Sequence, residues 1–386
     1  MSEHAELRRA IGHLISVPAE QVSLFWRGRV AFYAILRAMG IGRGDEVVVP
    51  AFTCVAVPNA VLYTGATPRY VDIDETTYTA DPAGVAAAMS PRTRAVLAQN
   101  TFGLSADLDA LAAVARPHGA VVIDDCTHGL GGTYRGNANG AAAHAAFFST
   151  QWSKPISTGL GGIAVTADPD LARRIAAIER SAGAPGALDK ALLATMLLAR
   201  ERIATPRTLR AGRAAYRAVS RAGLVPGSSS RPELEGTTMP QSFLMAMSAF
   251  QARLAARRLP TLTARVRRRR AVARRYSAWL AAHGRAPAHE PEFATHAYLR
   301  YPVRVRERDA FVAEAHRRGV TLGDWFSSPL YPIDGELTAW GYRRGECPIA
   351  ERVASEIVNL PTDVSPDGPD IRAVEQLLDV SGDRIV

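Results

Sequence analysis

The residue of this sequence best suited to covalent chemistry is Lys154. The chain has 46 lysine and arginine residues, but only two of them, Lys154 and Lys190, are lysines. A primary amine with a lowered pKa can attack a carbonyl carbon, whereas a guanidinium keeps its proton and cannot. Lys154 also stands between an apolar run and a glycine-rich loop, which is a poor place for a solvating charge. This pattern favours a reactive amine over a lysine retained by chance.

Two further features have the types that a lysine-based site needs. Asp124 and Asp125 follow an apolar run and are predicted at a strand end, as ligands or as a strand cap. Gly28 opens a predicted helix, where free N–H groups attract phosphate, although simple helix capping also explains a glycine there. Pyridoxal phosphate needs an amine, an acid that keeps its pyridine nitrogen protonated, and donors for its phosphate. The three features together therefore indicate this cofactor.

The order of the elements predicts how these residues are positioned. Apolar strands and amphipathic helices alternate, with helices at 28–39, 53–63, 82–89, 107–117 and 168–182, and strands at 47–49, 69–74, 95–98, 120–125 and 163–166. Such alternation is typical of a three-layer α/β/α fold with a mainly parallel sheet. Ligands bind beyond the carboxyl ends of these strands, where Asp124 and Asp125 are expected.

The remaining segments predict an insertion and a second domain. We predict a large cofactor-binding domain at 1–235, which includes a basic helical insertion at 187–235, and a small C-terminal α/β domain at 236–386. A helix at 5–16 precedes the alternating elements. The small domain is expected to contain a helix or a pair kinked at Pro260 over 241–283, a strand at 298–305, and helices at 308–318 and 370–379.

Composition limits the class of protein. With 386 residues, 47% of them hydrophobic and 22% charged, the chain is typical of a globular protein. No apolar run reaches the length of a membrane span, and the polar N-terminus does not resemble a signal peptide. Three widely spaced cysteines favour a reducing cytoplasm over a disulfide framework. A net charge of +9 fits an acidic partner, either a phosphorylated or nucleotide-linked small molecule, a nucleic acid or a membrane surface.

Five blocks in collinear order carry a resemblance to a known family. The chain resembles the DegT/StrS family of pyridoxal-phosphate sugar aminotransferases, which have the aspartate-aminotransferase fold (fold type I). The blocks are GRGDEVVVPAFT at 42–53, GATPRYVDID at 65–74, QNTFG followed by AD at 99–107, DDCTHG at 124–129, and FS to K to GLGG at 148–162.

The resemblance implies roles for eight residues. Lys154 would be the Schiff-base lysine and would carry protons during catalysis, and Asp125 would pair with the pyridine nitrogen. The cofactor contacts it implies are His128 near the ring oxygen, the Ser149 hydroxyl on the phosphate, backbone amides of Gly28, Arg29 and Val30 on the phosphate, and Cys54 beside the ring. Taken alone, the same residue types would be a strand cap, a core histidine and a turn serine. No metal site is implied.

The sequence departs from the family at several of these positions. Arg29 stands where members often have threonine or serine, so a guanidinium could bind phosphate or reach a substrate carboxylate. Cys54 stands where an aromatic residue often stacks on the cofactor ring, and Leu160 where many members have glutamate. Asparagine and arginine from the neighbouring subunit are expected near 237–239, where this chain has Thr-Thr-Met. The His-Tyr pair that borders the substrate is replaced within 325–332.

The leading hypothesis is therefore a pyridoxal-phosphate aminotransferase. It would load the cofactor from glutamate or glutamine and aminate a keto group of a sugar, with nucleotide-linked sugars as the expected class, or of a cyclitol. The resemblance also implies a homodimer with shared active sites. The alternative with the same cofactor is a specialist in dehydration, aromatisation or other carbanion chemistry, although the dehydratases of the family have histidine in place of Lys154. A non-catalytic scaffold protein is the third hypothesis.

Two basic segments suggest other partners. Seven arginines lie within 265–275, but no aromatic residues alternate with them, so we expect a solvated helix face or inter-subunit ion pairs and not a nucleic-acid site. The segment 188–224 mixes leucines with eight positive charges. Such a helix can dock on an acidic membrane or a carrier, but packing against its own dimer is the preferred interpretation.

Overall fold

The structure, a computed structural model, describes residues 2–203 and 231–386. The helices in these ranges are α1 Glu3–Ile15, α2 Gly28–Ala38, α3 Ala56–Thr64, α4 Pro82–Ala88, α5 Leu108–Ala115, α6 Pro169–Ser181, α7 Ala187–Ile203, α8 Arg231–Glu235, α9 Ala249–Arg258, α10 Leu262–Ala282, α11 Arg308–Arg317, α12 Pro348–Glu356 and α13 Pro369–Ser381. The strands are β1 Val22–Phe25, β2 Glu46–Pro50, β3 Thr53–Cys54, β4 Thr67–Val71, β5 Thr93–Gln99, β6 Val121–Asp125, β7 Thr133–Tyr134, β8 Asn137–Ala138, β9 Ala145–Ser149, β10 Gly162–Val165, β11 Ala294–Thr295, β12 Tyr301–Arg304, β13 Leu330–Tyr331 and β14 Ile357–Leu360.

A seven-stranded sheet forms the centre of the fold, in the order β1-β10-β9-β6-β5-β2-β4. All neighbouring pairs from β4 to β9 are parallel, and β10 is antiparallel to both β9 and β1. The predicted mainly parallel sheet is therefore confirmed. The register pairs Gln99 with Asp125 and Asp125 with Phe147. The carboxyl ends of β5, β6 and β9 consequently meet at one edge of the sheet.

Helices cover both faces of this sheet, as the strand sequences require. In β2, Val47 and Val49 pack into one core with α2, while Val48 points to the other face and packs with α5. Side chains alternate between faces along a strand, so a strand that is apolar at every position needs a covering layer on each side. The short run of valines in the sequence thus predicts the three-layer arrangement that the structure shows.

Two predicted helices differ in extent from the structure. The segment predicted as a helix from residue 53 begins with the strand Thr53–Cys54, which pairs in parallel with Leu330–Tyr331, and the helix begins at Ala56. The helix predicted from residue 241 begins at Ala249, because Ser248 and Gln251 form a capping box there. Its predicted break at Pro260 is confirmed by the turn Leu259–Thr261 between α9 and α10.

Most of the C-terminal half packs into one core, which also includes residues of the N-terminal half such as Phe52 and Phe102. β12 and β14 form an antiparallel pair that packs with α11, α12 and α13 in one large hydrophobic cluster. Residues from Met247 to Val266 pack instead with α1 in a cluster on the central sheet. The predicted division at 235/236 stays a prediction. Sequence reasoning did not identify β1, α12 or β14.

The arginine-rich helix α10 is held by contacts within the chain. Arg269 is only 2% exposed and lies 3.7 Å from Asp363. Arg275 pairs with Glu375 at 2.6 Å, and Arg270 donates to the carbonyl oxygen of His296. The expectation of a solvated face is therefore wrong for Arg269, because this side of the helix packs against the rest of the chain, and inter-subunit ion pairs of the other arginines stay a prediction.

Helix α7 begins the predicted basic insertion. Leu193 and Leu197 are buried in a cluster with Trp26 and Leu160. The prediction for 204–230, including most of the proposed docking segment, lies outside the described residues. In the ranges that the structure describes, no helix combines the length and apolar character that crossing a membrane would need.

Candidate functional site

Lys154 lies in the loop between β9 and β10, and hydrogen bonds close that loop at its base. Thr150 and Thr158 face each other across the loop, with their hydroxyl oxygens 2.6 Å apart, and the Thr158 N–H donates to the Thr150 carbonyl oxygen at 2.7 Å. Gly161 has φ +156°, and a Cβ there would lie 2.0 Å from the Thr150 hydroxyl oxygen. The glycine-rich pattern after Lys154 is therefore a packing requirement of the loop that holds the lysine.

The surroundings of Lys154 make its amine easier to deprotonate. Burial, with smaller contributions from the charges of Arg300 and Arg29, lowers the pKa of Lys154 to about 8, against the opposing effects of the nearby Asp125 and Cys54. The Nζ atom also lies 4.9 Å from the ring centroid of Trp325. An amine with a pKa near 8 can take up and release a proton close to neutral pH.

Asp125, and not Asp124, lines the cavity that contains Lys154. Its Oδ1 accepts a hydrogen bond from the Thr127 N–H at 2.9 Å, and the side chain is 4% exposed. Burial raises the pKa of Asp125, against the opposing effects of the Thr127 hydrogen bonds and of Lys154. The structure therefore brings the predicted acid and the predicted lysine into one cavity.

Asp124 lies on the opposite side of β6 and is satisfied there. It accepts hydrogen bonds from Asn100 Nδ2 at 2.7 Å and from the Gly140 N–H at 2.9 Å. Burial raises the pKa of Asp124 to about 6. The pleat of the strand thus separates the two neighbouring carboxylates, one into the cavity and one into the protein interior.

His128 is a neutral, stacked ring next to the lysine. Burial, with the charges of Lys154 and Arg300, holds the pKa of His128 well below its usual value. Its Nδ1 accepts a hydrogen bond from the Phe102 N–H at 3.2 Å, which assigns the proton to Nε2. The ring stacks on Trp325 with centroids 4.7 Å apart and an interplanar angle of 9°. His128 is therefore a fixed hydrogen-bond donor.

The start of α2 and the end of β9 form a narrow cradle. A Cβ on Gly28 would lie 3.0 Å from Cβ and 3.3 Å from Oγ of Ser149, so only glycine fits without movement of the serine. Both residues line the cavity with Lys154. Val30 does not line the cavity, and its N–H donates to the Arg27 carbonyl oxygen at 3.1 Å. The geometry therefore supports the predicted contacts of Gly28 and Ser149 better than that of Val30.

Arg29 and Cys54 also line the cavity, at the positions where the sequence departs from the family. The Arg29 guanidinium donates to Glu233 Oε1 at 2.6 Å, and the Glu233 side chain is fully buried. The Arg29 side chain in the cavity wall is therefore paired with a carboxylate. Cys54 is partly buried at the end of β3. Its thiol stands at the position where members of the family often have an aromatic residue.

Sequence reasoning missed Arg300 and assigned no role to Gln99, whereas the family resemblance had placed Trp325 and Phe326 in a segment that borders the substrate. Trp325 and Arg300 approach Lys154 from the C-terminal half, and Phe326 lines the cavity. Gln99 ends the strand beside Asp125, accepts a hydrogen bond from the Thr53 hydroxyl and donates to the Phe52 carbonyl oxygen. The strand-end position of Gln99 was a usable signal. Trp325 lies 171 positions from Lys154 in the sequence, so no local pattern indicates that the two side chains meet.

The donor set of this cavity fits pyridoxal phosphate. It offers a carboxylate at Asp125, an amine of lowered pKa at Lys154, and a glycine–serine cradle at a helix start, where a Cβ would fill the space. These are the three kinds of group that the cofactor requires.

Comparisons with known proteins agree with this chemistry. The sequence profile of the DegT/DnrJ/EryC1/StrS aminotransferase family matches residues 25–204 and 213–378. The UDP-N-acetyl-3-dehydro-alpha-D-glucosamine 3-aminotransferase of Acidithiobacillus ferrooxidans is 29% identical over 86% of this chain and 77% of its own length. The L-glutamine:scyllo-inosose aminotransferase of Streptomyces griseus is 45% identical, but the match spans only 38% of this chain and 35% of that relative.

A solved structure extends the similarity to the whole fold. The aminotransferase TlmJ from Streptoalloteichus hindustanus superimposes with a TM-score of 0.76, at 25% identity, over 99% of this chain and 91% of that chain. The family predicted from the five sequence blocks and the fold predicted with it are both confirmed.

Proposed function

The chain belongs to the DegT/DnrJ/EryC1/StrS aminotransferase family, and we propose that it transfers an amino group from glutamate or glutamine to the keto group of a sugar or cyclitol. The observation that carries this proposal is the common cavity of Lys154, Asp125 and the Gly28–Ser149 cradle. The amino acceptors in the names of the relatives, a UDP-linked keto sugar and an inosose, support this class of substrate.

Four residues of the cavity have a proposed part in holding the cofactor. Asp125 would hydrogen-bond the pyridine nitrogen, the Ser149 hydroxyl and the Gly28 amide would bind the phosphate, and His128 would donate from Nε2 to the ring oxygen. Bound pyridoxal phosphate supplies an electron sink for carbanion chemistry. Asp125 suits its part because a buried carboxylate holds a positive charge beside it more strongly than an exposed one does.

Lys154 would be the residue that bonds the cofactor and moves protons. Its pKa of about 8 leaves a substantial neutral fraction of the amine near neutral pH, which an unperturbed lysine lacks. The neutral amine can attack a carbonyl carbon and can accept a proton, and the protonated amine can return it. The ring of Trp325, 4.9 Å away, limits where the amine can move.

The aromatic side of the site supports a ring-shaped acceptor. Phe326 provides an aromatic ring in the wall of the cavity. The Trp325 ring next to it stacks on His128, with Lys154 Nζ 4.9 Å and the Arg300 guanidinium 5.7 Å from its centroid. Sugar and cyclitol rings have apolar C–H faces that pack on aromatic rings, and a guanidinium binds hydroxyl or phosphate oxygens. The net charge of +9 also fits a nucleotide-linked acceptor.

Absorption spectroscopy tests this proposal directly. The purified protein with pyridoxal phosphate should show a visible band that L-glutamate or L-glutamine converts to a band at shorter wavelength, with formation of the corresponding keto acid. A band that neither amino acid changes would point to the specialist carbanion chemistry of the same family. The absence of any bound cofactor would contradict the proposal and favour a scaffold role.

We also propose that the enzyme is a homodimer with active sites shared between subunits. Support comes from the family resemblance and from Met239, which is 41% exposed in the segment where the resemblance implies contacts to a neighbouring subunit. Light scattering should give twice the chain mass of 41.4 kDa. The three cysteines, which are free thiols, fit the proposed cytoplasmic location.

A further inference from the structure

A buried carboxylate stands beside the cavity, on a helix remote in sequence. Glu233 of α8 is 0% exposed and pairs with Arg29 at 2.6 Å, while Arg27 lies 3.6 Å from its other carboxylate oxygen. Both arginines line the cavity that contains Lys154, and they flank Gly28 at the start of α2. Glu233 therefore brings one negative charge from elsewhere in the chain to a wall that carries these two positive charges.

The short helix α8 reaches the site mainly through Glu233. The other charged residues of this helix, Arg231 and Glu235, have side chains that are 73% and 61% exposed and pair with each other. The Glu233 carbonyl oxygen accepts from Asn59 Nδ2 at 2.9 Å, and Asn59 in turn accepts from Trp340 Nε1 at 2.7 Å. A five-residue helix contributes little stability of its own, so its position depends on these contacts.

The carboxylate of Glu233 lies closer to Arg29 than to Arg27. Its contact with Arg29 has hydrogen-bond length, whereas 3.6 Å to Arg27 exceeds that length and leaves an electrostatic attraction. A guanidinium binds a carboxylate or a phosphate best through paired hydrogen bonds. A mobile oxyanion in the cavity could approach both arginines more closely than a carboxylate fixed on α8 can.

We propose that Arg27 and Arg29 form a binding site for the oxyanion group of a substrate, and that Glu233 is an internal competitor that the substrate displaces. The ligand group is a carboxylate, as in the amino donor, or a phosphate, as in a nucleotide-linked acceptor. The inference rests on the proposed function only for the identity of these substrates. While Glu233 pairs with the arginines, it holds their side chains in place and partly neutralises their positive charge. An incoming anion therefore replaces the ion pair with Glu233 by an ion pair with itself.

This anion site is separate from the proposed phosphate cradle of the cofactor. The cradle consists of the Gly28 amide and the Ser149 hydroxyl, whereas the anion site consists of the two guanidinium groups. In the holoenzyme the cofactor phosphate fills the cradle. Binding of a further anion to the holoenzyme therefore reports on Arg27 and Arg29.

Calorimetric titration of the holoenzyme with glutarate and with uridine diphosphate tests the proposal. Glutarate carries the two carboxylates of the amino donor without its amine, and uridine diphosphate carries the phosphates of a nucleotide sugar. We expect the Glu233→Gln variant to bind at least one of them about tenfold or more tightly than the wild type, because the competing charge is gone. Glu235→Gln, from the exposed pair of the same helix, should bind as the wild type does. The probe that responds identifies the source of the anion.

The wild-type protein must also bind the probe through Arg29 while Glu233 is present. Arg29→Gln should weaken the responding probe by about tenfold or more relative to the wild type. If Glu233→Gln does not fold, Glu233→Asp keeps the charge, withdraws it from Arg29, and should tighten binding by a smaller factor. Unchanged or weaker binding in the Glu233 variants, or unchanged binding in Arg29→Gln, overturns the proposal.

The cofactor spectrum separates this outcome from the proposed function. Wild-type and variant proteins that retain the visible cofactor band but show no Arg29-dependent anion binding would contradict the anion site alone. A protein without any cofactor band would contradict the proposed function. In that protein the cradle is also open to anions, so only tighter binding in Glu233→Gln together with weaker binding in Arg29→Gln would support competition by Glu233, and any other result would overturn it.

Discussion

The two sides of the cavity are built from different kinds of structure. The sheet side consists of Gly28, Asp125 and Ser149, at the ends of α2, β6 and β9, and of Lys154 in the loop that follows β9. The C-terminal side consists of Phe326, which lines the cavity, and of its neighbours Trp325 and Arg300. The rings of Trp325 and Phe326 stack with His128, and the Trp325 ring also lies next to the Lys154 amine. One side is fixed by backbone hydrogen bonds, and the other by side-chain packing.

This difference indicates that the two sides of the cavity have different roles in the reaction. Groups at the ends of parallel strands cannot shift without a change of register, so they suit the bonding and proton transfer that need fixed positions. Stacked aromatic rings can be exchanged for others at a cost of about 0.5–1.5 kcal/mol each, so they suit the choice of substrate. The departures from the family at 325–332 lie on the second side. Substitutions on the sheet side should therefore cost more activity than those on the C-terminal side.

The largest effect is expected at Lys154. Lys154→Arg keeps the positive charge but cannot bond the cofactor, so keto-acid formation from L-glutamate or L-glutamine should fall by about a thousandfold or more. Lys190→Arg is the matched control, because Lys190 is exposed on α7 and is the other lysine of the chain. Equal losses in the two variants would remove Lys154 from its proposed role.

The second largest effect is expected at Asp125. Asp125→Asn removes the charge that would keep the pyridine nitrogen protonated, and activity should fall by about a hundredfold. Asp124→Asn should instead lose stability, by about 1–3 kcal/mol, because it sets an amide against the donors of Asn100 and Gly140. Thermal unfolding and keto-acid assays of both variants measure the contrast. A larger loss of activity in Asp124→Asn would reverse the assignment of the two carboxylates.

A smaller effect is expected at Trp325. Trp325→Leu removes the ring that stacks on His128 and contacts the amine of Lys154. These two contacts are worth about 1–2 kcal/mol together, which corresponds to about a tenfold loss of kcat/KM. Trp325→Phe keeps a ring and should retain most of the activity. If Trp325→Leu lost as much activity as Asp125→Asn, the division between the two sides of the cavity would be incorrect.

The smallest expected effect is a dependence on pH of the rate of cofactor capture and of the stability of the apoprotein, both of which arise from Lys154 on the sheet side. Because the pKa of Lys154 is about 8, the rate at which apoprotein captures pyridoxal phosphate should rise with pH and level off above about pH 8. The unfolded chain keeps this proton to higher pH, so folding releases it, and the stability of apoprotein relative to Lys154→Met should increase as pH rises from about 8 to about 10. Stopped-flow absorption and denaturant titration measure these two quantities. A capture rate that still rises steeply near pH 10 would show an unshifted lysine.

The sheet side was largely predictable from the sequence. Apolar strands ending in polar residues place Asp125 at a sheet edge, and the scarcity of lysine singles out Lys154. The choice of Asp125 over Asp124 came from the family resemblance, and the structure gives its physical reason in the pleat of β6. The contact between Gly28 and Ser149 depends on how α2 packs against β9, which no local pattern reports.

The C-terminal side and the ion pair of Glu233 were not predictable in the same way. Trp325 meets His128 and Lys154 across about half the chain, and Glu233 meets Arg29 across 204 positions. Contacts of this kind depend on tertiary packing, which propensity and periodicity do not encode. Thr53–Cys54 shows the same limit, because its pairing partner Leu330–Tyr331 overrides a helical pattern.

The most direct test of the central claim is to locate the lysine that bonds the cofactor. Holoenzyme reduced with sodium borohydride would retain the cofactor covalently, and mass spectrometry of its peptides would identify the modified residue. The chain offers two lysines for this bond. The account predicts the added mass on the peptide that contains Lys154 and an unmodified Lys190. Modification of Lys190, or of neither lysine in a protein that shows the cofactor band, would contradict it.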